Sequence, residues 1–268
     1  MAFRLYTYWR SSAAFRVRIA LALKGLDYES VPKHLLRDGG EQRQPDYLAV
    51  NPQGLIPALA DDGFVIPQSL AICEYLDEIH PEPQLLPGSA RDRATVRGMA
   101  MVVACDTHPL NNLPIMGYLR REFGADDAAV NRWVAHWIGR GFAGLERWVG
   151  SIPGAPVEVG QQRFCFGNAA TLADVCLVPQ MYNARRFSVD VAPYPRLAAI
   201  CAQSRRLKDL LHRESAETVM LYTTLVHAIP AVAERLGVKR ALNVSNVIVS
   251  NPFGLPEPRF LMGAEVSL

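Results

Sequence analysis

The chain has 268 residues, half of them apolar and a fifth charged, with a formal net charge of +2. That length holds one large domain or two modest ones, and the composition supports a packed core while excluding general disorder. A charge so near neutral argues against a nucleic-acid surface. All but four of the 28 basic residues are arginine, with lysine only at Lys24, Lys33, Lys208 and Lys239. A GC-rich genome produces that bias without functional pressure, so an arginine counts toward a site only where its position has a reason.

The cysteines (Cys73, Cys105, Cys165, Cys176 and Cys201) are odd in number and widely spaced, with no CxxC pair. Neither a disulfide framework nor a zinc site fits, so no metal is expected and they read as small buried apolar residues in a reducing compartment. The N-terminus lacks the apolar stretch of a secretory signal, and no apolar run approaches the roughly 20 residues of a membrane span. A cytoplasmic protein with neither membrane nor nucleic-acid partner is the expectation.

Phe3–Tyr8 alternates and is rich in aromatics, which predicts a short strand. Ser11 and Ser12 then precede an apolar run from Phe15 to Leu23 that ends at Gly25, the start and stop signals of a helix. Tyr28–Val31 is a second β-prone stretch. Asn51-Pro52-Gln53-Gly54 is a turn, and Leu55–Ala60 and Phe64–Ile66 read as a hairpin around Asp61-Asp62-Gly63. Gln68-Ser69 opens a helix over Leu70–Ile79. The first 80 or so residues therefore spell βαβ, ββ, α.

His80–Ser89, with Pro81, Pro83 and Pro87, is a plausible domain connector. From Arg91 to His212 the periodicity is helical, interrupted at Gly150–Gly160. Thr171-Leu172-Ala173-Asp174 reads as a capping box, and Trp133 and Trp137 as core residues on one helix face. This order predicts an α+β domain over 1–82 and an all-helical domain over 90–214, in segregated layers and not a doubly wound sheet. An atypical extension follows over 215–268. Within it Leu221–Leu236 can form an amphipathic helix broken at Pro230, Leu242–Val249 is strand-like, and Asn251–Pro258 is turn-rich.

Taken in order, several of these stretches resemble the zeta-class glutathione transferases, which include maleylacetoacetate and maleylpyruvate isomerases. The similarity runs from about Leu5 to about Arg213. It is carried by Tyr8-Trp9-Arg10-Ser11-Ser12 with Arg16-Val17-Arg18-Ile19-Ala20-Leu21, by Asn51-Pro52-Gln53 through Ile56-Pro57, and by Gln68-Ser69-Leu70-Ala71-Ile72. The helical half adds Cys105-Asp106-Thr107-His108-Pro109-Leu110-Asn111-Asn112, Thr171–Asp174, and Val178-Pro179-Gln180 through Arg185-Arg186-Phe187. The resemblance implies a thioredoxin-like N-terminal domain followed by an all-α domain, a homodimer, glutathione as cofactor and a small-molecule substrate.

It also implies an activity. In that family a glutathione thiolate adds to a cis double bond conjugated to a ketone, the resulting single bond rotates, and loss of the thiolate gives the trans isomer of a small keto-diacid. Ser11 and Ser12 are the implied catalytic residues. Spacing alone favours a helix cap, and the resemblance reverses that for Ser11: the same helix start offers free N–H groups and a positive dipole end to a thiolate. Gln42, Ile56, Pro57, Gln68, Ser69, His108 and Asn112 are the implied glutathione contacts. Ile56-Pro57 resembles a cis-proline step, although sequence alone would favour trans. Arg10 and Arg186 are the implied clamps for substrate carboxylates, with Arg185 the alternative, because a guanidinium binds a carboxylate through two parallel hydrogen bonds.

Two features depart from the family. Its Ser-Ser-Cys hallmark has Ala13 in third place, a change that shifts the preference among substrates toward maleylpyruvate. The extension, through Asn243–Val247, Ser250-Asn251-Pro252 and Pro256-Glu257-Pro258, resembles the C-terminal edge of wax ester synthase/diacylglycerol acyltransferases. Those enzymes' HHxxxDG motif is absent, which favours a fusion remnant. Glutathione conjugation or dehalogenation of small halo-acids is the alternative chemistry, and a non-catalytic glutathione-binding interaction protein the alternative class.

Overall fold

A computed structural model of the chain describes residues 3–156, 158 and 160–203, together with the backbone of Arg259–Leu261 and Ala264–Val266. Met1–Leu207 forms one compact unit and Lys208–Leu268 another. The expected helix at 221–236, strand at 242–249 and loop at 251–258 lie outside the described residues.

The first unit begins with β1 (Phe3–Thr7), α1 (Ser12–Leu23) and β2 (Tyr28–Pro32). β1 and β2 pair in parallel, from Phe3 opposite Tyr28 to Thr7 opposite Pro32. A parallel pair needs a crossover, and α1 supplies it. α1 ends where Gly25 adopts φ of +62°, and the Leu26 N–H bonds back to the Leu21 carbonyl. A short helix, α2 (Pro45–Leu48), and two 3₁₀ turns precede the hairpin β3 (Ala58–Asp61) and β4 (Phe64–Pro67). The sheet order is β2-β1-β3-β4, with β3 antiparallel to both of its neighbours. β3 starts at Ala58 and not at Leu55, because Pro57 has no N–H to give a ladder. The Ile56-Pro57 bond is cis. α3 (Ser69–Ile79) packs beside α1 and completes this layer.

The helical layer comprises α4 (Ala90–Met101), a π-helical segment (Val102–Thr107), a 3₁₀ turn (His108–Asn111), α5 (Leu113–Phe123), α6 (Asp127–Ser151) and α7 (Leu172–Arg186), with further helical turns over 195–203. α6 buries Val130, Val134, Ile138, Phe142, Leu145 and Val149, a stripe at intervals of three and four residues that fixes its inner face. Each of these side chains contributes about 1.5–3 kcal/mol on leaving water. The capping box holds: Asp174 accepts from the Thr171 N–H and hydroxyl and from the Cys165 N–H, each at 2.8 Å.

α7 packs against α1 and α4, and one buried cluster runs through both layers, from Leu5, Val17 and Leu76 to Met99, Phe142 and Cys176. The proline-rich connector belongs to that core, since Leu85 and Leu86 are buried. It is fixed by the fully buried Lys24 ammonium, which donates to Asp77, His80 O and Pro83 O, while Asp77 also accepts from the Leu85 and Leu86 N–H groups. Four cysteines are buried as expected; Cys105 is exposed, on an outward turn of the π-helical segment. In the second unit Arg259–Leu261 and Ala264–Val266 form an antiparallel ribbon that the sequence pattern did not announce.

Candidate active site

β1 delivers the chain to a loop, Tyr8–Arg10, that leads directly into α1. Arg18, one turn and a half inside the helix, reaches back to hold this loop. Its Nη1 donates to Thr7 Oγ1 at 2.7 Å and to the Tyr8 carbonyl at 3.3 Å, and its Nη2 donates to the Trp9 carbonyl at 3.3 Å. Beneath the loop lies a small cluster of Tyr8, Ala14, Tyr47 and Ile56.

Ser11 is the N-cap of α1. Its backbone is extended (φ −75°, ψ 116°) and its Oγ accepts from the Ala14 N–H at 3.1 Å. The cap uses one lone pair of the hydroxyl and leaves its proton free to donate. Ser12, the first helical residue, is partly buried beside it.

Arg10, one residue before the cap, lays its guanidinium over the Trp9 ring at 5.0 Å. Arg186 closes α7 with its guanidinium over Phe187 at 5.1 Å. The two cations feel each other: burial lowers the Arg186 pKa first and the Arg10 charge lowers it further, against the raising influence of Tyr182 and Tyr8. Among the described residues neither arginine has an ion-pair partner. Both side chains are exposed, which leaves either guanidinium accessible to an anion. Arg185, about 100° further round the helix, lies off the Tyr182–Arg186 face.

A second helix start stands against the first. α3 begins at Ser69, which is buried, and Arg16 of α1 donates from Nη1 to Ser69 Oγ at 3.1 Å. The preceding Gln68 has φ of +71° with ψ of 114°, a strained setting for a residue with a Cβ that costs roughly 1–3 kcal/mol. Its amide donates to Gln53 Oε1 at 2.8 Å. Such outliers persist where the surroundings over-determine them, most often at binding sites.

Ile56 stands just before β3, outside the sheet ladder, with Leu55 O fixed by the Tyr47 hydroxyl at 2.7 Å and the Asn51 amide at 2.8 Å. Gln42 is buried with its Oε1 unpartnered, and it packs so closely under Gly40 (φ +105°) that a Cβ there would meet the amide at 2.6 Å.

His108 opens the 3₁₀ turn of the helical layer, and Asn112 follows that turn at the start of α5. Burial and the charge of Arg16 depress the His108 pKa to about 3, so its imidazole is neutral throughout the physiological range. Asn112 caps α5, accepting from the Ile115 N–H at 3.3 Å, which gives that side chain a structural task as well. Among the described residues no cluster of three or more His, Cys, Asp or Glu could hold a metal ion, and no helix is long and apolar enough to cross a membrane.

Comparison with known proteins follows the same outline. Residues 1–78 match the glutathione S-transferase N-terminal domain. A maleylacetoacetate isomerase from Pseudomonas aeruginosa is 49% identical over 208 residues, spanning 77% of this chain and 90% of its own. The holo structure of a zeta-class bacterial maleylpyruvate isomerase is 46% identical and superposes with a TM-score of 0.69 over 74% of this chain and 90% of its own. The chain belongs to the zeta-class glutathione transferases. A further likeness is the maleylacetoacetate isomerase of Methylobacterium extorquens, solved with malonate and glutathione bound, at 42% identity and a TM-score of 0.68 over 75% of this chain and 91% of its own.

In this zeta-class chain the third hallmark position is Ala13, and no protein thiol replaces it near Arg16. Cys73 and Cys176 are buried; the Cys176 thiol is pushed up to about 11 and Cys73 is raised further still. Neither forms a thiolate at neutral pH. Sequence reasoning passed over Arg16 and Arg18, whose signal was their place in the Arg16-Val17-Arg18 run. It also passed over Gly40, and although Gln68 was named as a glutathione contact, no spacing rule marks its positive φ.

Proposed function

We propose that the chain is a glutathione-dependent cis–trans isomerase of a small unsaturated keto-diacid, maleylpyruvate or maleylacetoacetate. The observation that carries this reading is the Ser11 cap at the start of α1, with Arg10 one residue before it and Arg186 at the end of α7, the helix packed against α1. In this reading the two guanidinia bind the substrate carboxylates next to a hydroxyl with a free proton and a helix N-terminus. The protein residues fit glutathione as well: Gln42 holds an orphaned buried acceptor, and Ser69 and Gln68 open a helix whose first N–H groups favour a carboxylate. The M. extorquens relative, with glutathione and a small diacid bound, is consistent with both halves.

Bound glutathione supplies a thiol that, as thiolate, adds reversibly to the cis double bond and is regenerated. In this reading Ser11 donates its hydroxyl proton to the sulfur, and the first-turn N–H groups and dipole of α1 keep the thiol ionised instead of titrating near about 8.5. Ser12 adds to that first turn. Gln68 and Ser69 receive the γ-glutamyl carboxylate. Ile56, turned out at Pro57, offers its main chain to the cysteinyl part as an added strand would. His108 and Asn112 contact glutathione from the helical side, with His108 adding no charge. Arg10 and Arg186 hold the diacid, and because Arg10 adjoins Ser11 the reacting carbons are delivered to the sulfur. A cytoplasmic homodimer completes the proposal.

The test is a steady-state panel of maleylpyruvate, maleylacetoacetate and dichloroacetate, each with and without glutathione. Turnover of one cis diacid that requires glutathione is the expected result. Turnover of the halo-acid alone would replace isomerisation with dehalogenation, and binding without any turnover would make the chain a glutathione-binding module.

A further inference from the structure

Arg16 is 2% exposed, which makes it one of the largest fully buried side chains in the molecule. It lies on the inner face of α1, between α3 and α7, where its charge acts on His108, Cys73 and Cys176. Among the described residues no carboxylate pairs with it. Its one hydrogen bond runs from Nη1 to Ser69 Oγ at 3.1 Å, while Nε and Nη2 are buried without partners. An uncompensated buried cation is among the costlier things a fold can hold, and it persists where an anion completes it.

The direction of that single hydrogen bond is fixed by chemistry. A guanidinium only donates, so Ser69 Oγ accepts. The hydroxyl proton of Ser69 must then point away from Arg16, and among the described residues it meets no acceptor. Ser69 is the first residue of α3, an 11-residue helix with its free N–H groups at that end. A proton, a row of N–H groups and an unpaired cation behind them are thus all turned to one place.

We propose that Arg16 is the positioning residue of the γ-glutamyl subsite: it locks the Ser69 hydroxyl as a donor toward the α-carboxylate of glutathione and supplies the buried positive charge that this carboxylate neutralises. This rests on the reading of Ser69 as a glutathione contact. It also explains why arginine is used. Lysine would present a point charge with no planar fork to span α1 and α3, and a neutral amide would hold Ser69 without the charge.

The test compares glutathione with its analogue lacking the γ-glutamyl α-carboxylate, 4-aminobutanoyl-cysteinylglycine, as cofactor for the same diacid. The wild-type chain should prefer glutathione in kcat/KM by on the order of 30-fold, the weight of a charge-assisted hydrogen bond set. Ser69→Ala and Arg16→Met should each erase most of that preference, through KM for glutathione and not through KM for the diacid. Arg16→Lys should recover part of it, which a merely structural role would not do.

Should Arg16→Met not fold, the unmutated chain gives its own readout. With arginine side chains ¹⁵N-labelled, the most solvent-protected guanidinium signal should move on adding glutathione and stay still with the analogue. Full preference in the Arg16 variants alongside a lost one in Ser69→Ala, or an unmoved signal, would overturn the proposal while leaving the subsite intact. Full preference in Ser69→Ala would remove the subsite reading itself.

Discussion

Replacing Ser11 with alanine separates two tasks that one oxygen performs. As N-cap, Ser11 Oγ accepts from the Ala14 N–H at 3.1 Å, and loss of such a cap costs typically about 1 kcal/mol. In a unit of this size that lowers the melting temperature by about 2–4 °C. As the donor to the thiolate, the same hydroxyl is worth more, because removing one preorganised donor from an anion-stabilising site costs about 10²–10³ in turnover. Ser11→Ala should therefore fold with a small thermal penalty, bind glutathione with little change in KM, and turn over about 10²–10³ times more slowly. Ultraviolet titration of the thiolate in the glutathione complex should show a raised thiol pKa. Ser11→Asp is the discriminating control: it caps the helix as well as serine, but sets a carboxylate against the sulfur. Its melting temperature should match wild type while its turnover falls at least as far as that of alanine. An unchanged turnover number in Ser11→Ala, or restored turnover in Ser11→Asp, would reduce Ser11 to a cap.

Arg186→Lys should raise KM for the diacid while leaving KM for glutathione close to wild type, since a point charge cannot reproduce the fork; equal losses for both would mark a structural role. Asp77→Ala leaves the fully buried Lys24 ammonium without its carboxylate and frees the Leu85 and Leu86 N–H groups, so calorimetry should show a loss of about 3–5 kcal/mol. His108 has a folded pKa of about 3, below the unfolded value near 6.5, so the unfolded chain binds the extra proton and stability falls as pH drops from 6.5 toward 3. Between pH 7 and 5 this amounts to at most about 2 kcal/mol, and denaturant midpoints of His108→Gln should be flatter over that window by the same amount. A chain ending at Glu214 keeps the whole compact unit to Leu207 and should melt and turn over like the full chain; loss of folding or activity would make the extension an integral part of the enzyme.

Much of the N-terminal layer is legible in the sequence because its signals are local. Ser11 before an apolar run, Gly25 after it, and Asp61-Asp62-Gly63 between two β-prone stretches each act within a few residues, and α1 and the β3–β4 hairpin follow from them. The Thr171–Asp174 box is equally local, although the third hydrogen bond to Asp174, from the Cys165 N–H, needs the fold to bring it there. What periodicity could not show is long-range pairing. Nothing in the spacing of Arg16 and Ser69, 53 residues apart, says that one donates to the other. The packing of α7 on α1, which brings the helices that carry Arg186 and follow Arg10 side by side, is likewise absent from the spacing. The connector at 80–89 looks solvent-facing from its prolines, but Lys24 and Asp77 pull Leu85 and Leu86 into the core. Cys105, grouped with the buried cysteines by residue type, is exposed on the π-helical segment, whose buried side chains are Val103 and Thr107.

The central claim is that glutathione is a regenerated nucleophile held beside a carboxylate clamp, and thiol counting during turnover tests it most directly. With the cis diacid in large excess over glutathione, its conversion to the trans isomer should run to completion while the free thiol concentration, assayed before and after, stays constant. Conversion that stops when one equivalent of glutathione has been consumed, with a stable thioether as product, would make the chain a conjugating transferase and contradict the isomerase mechanism.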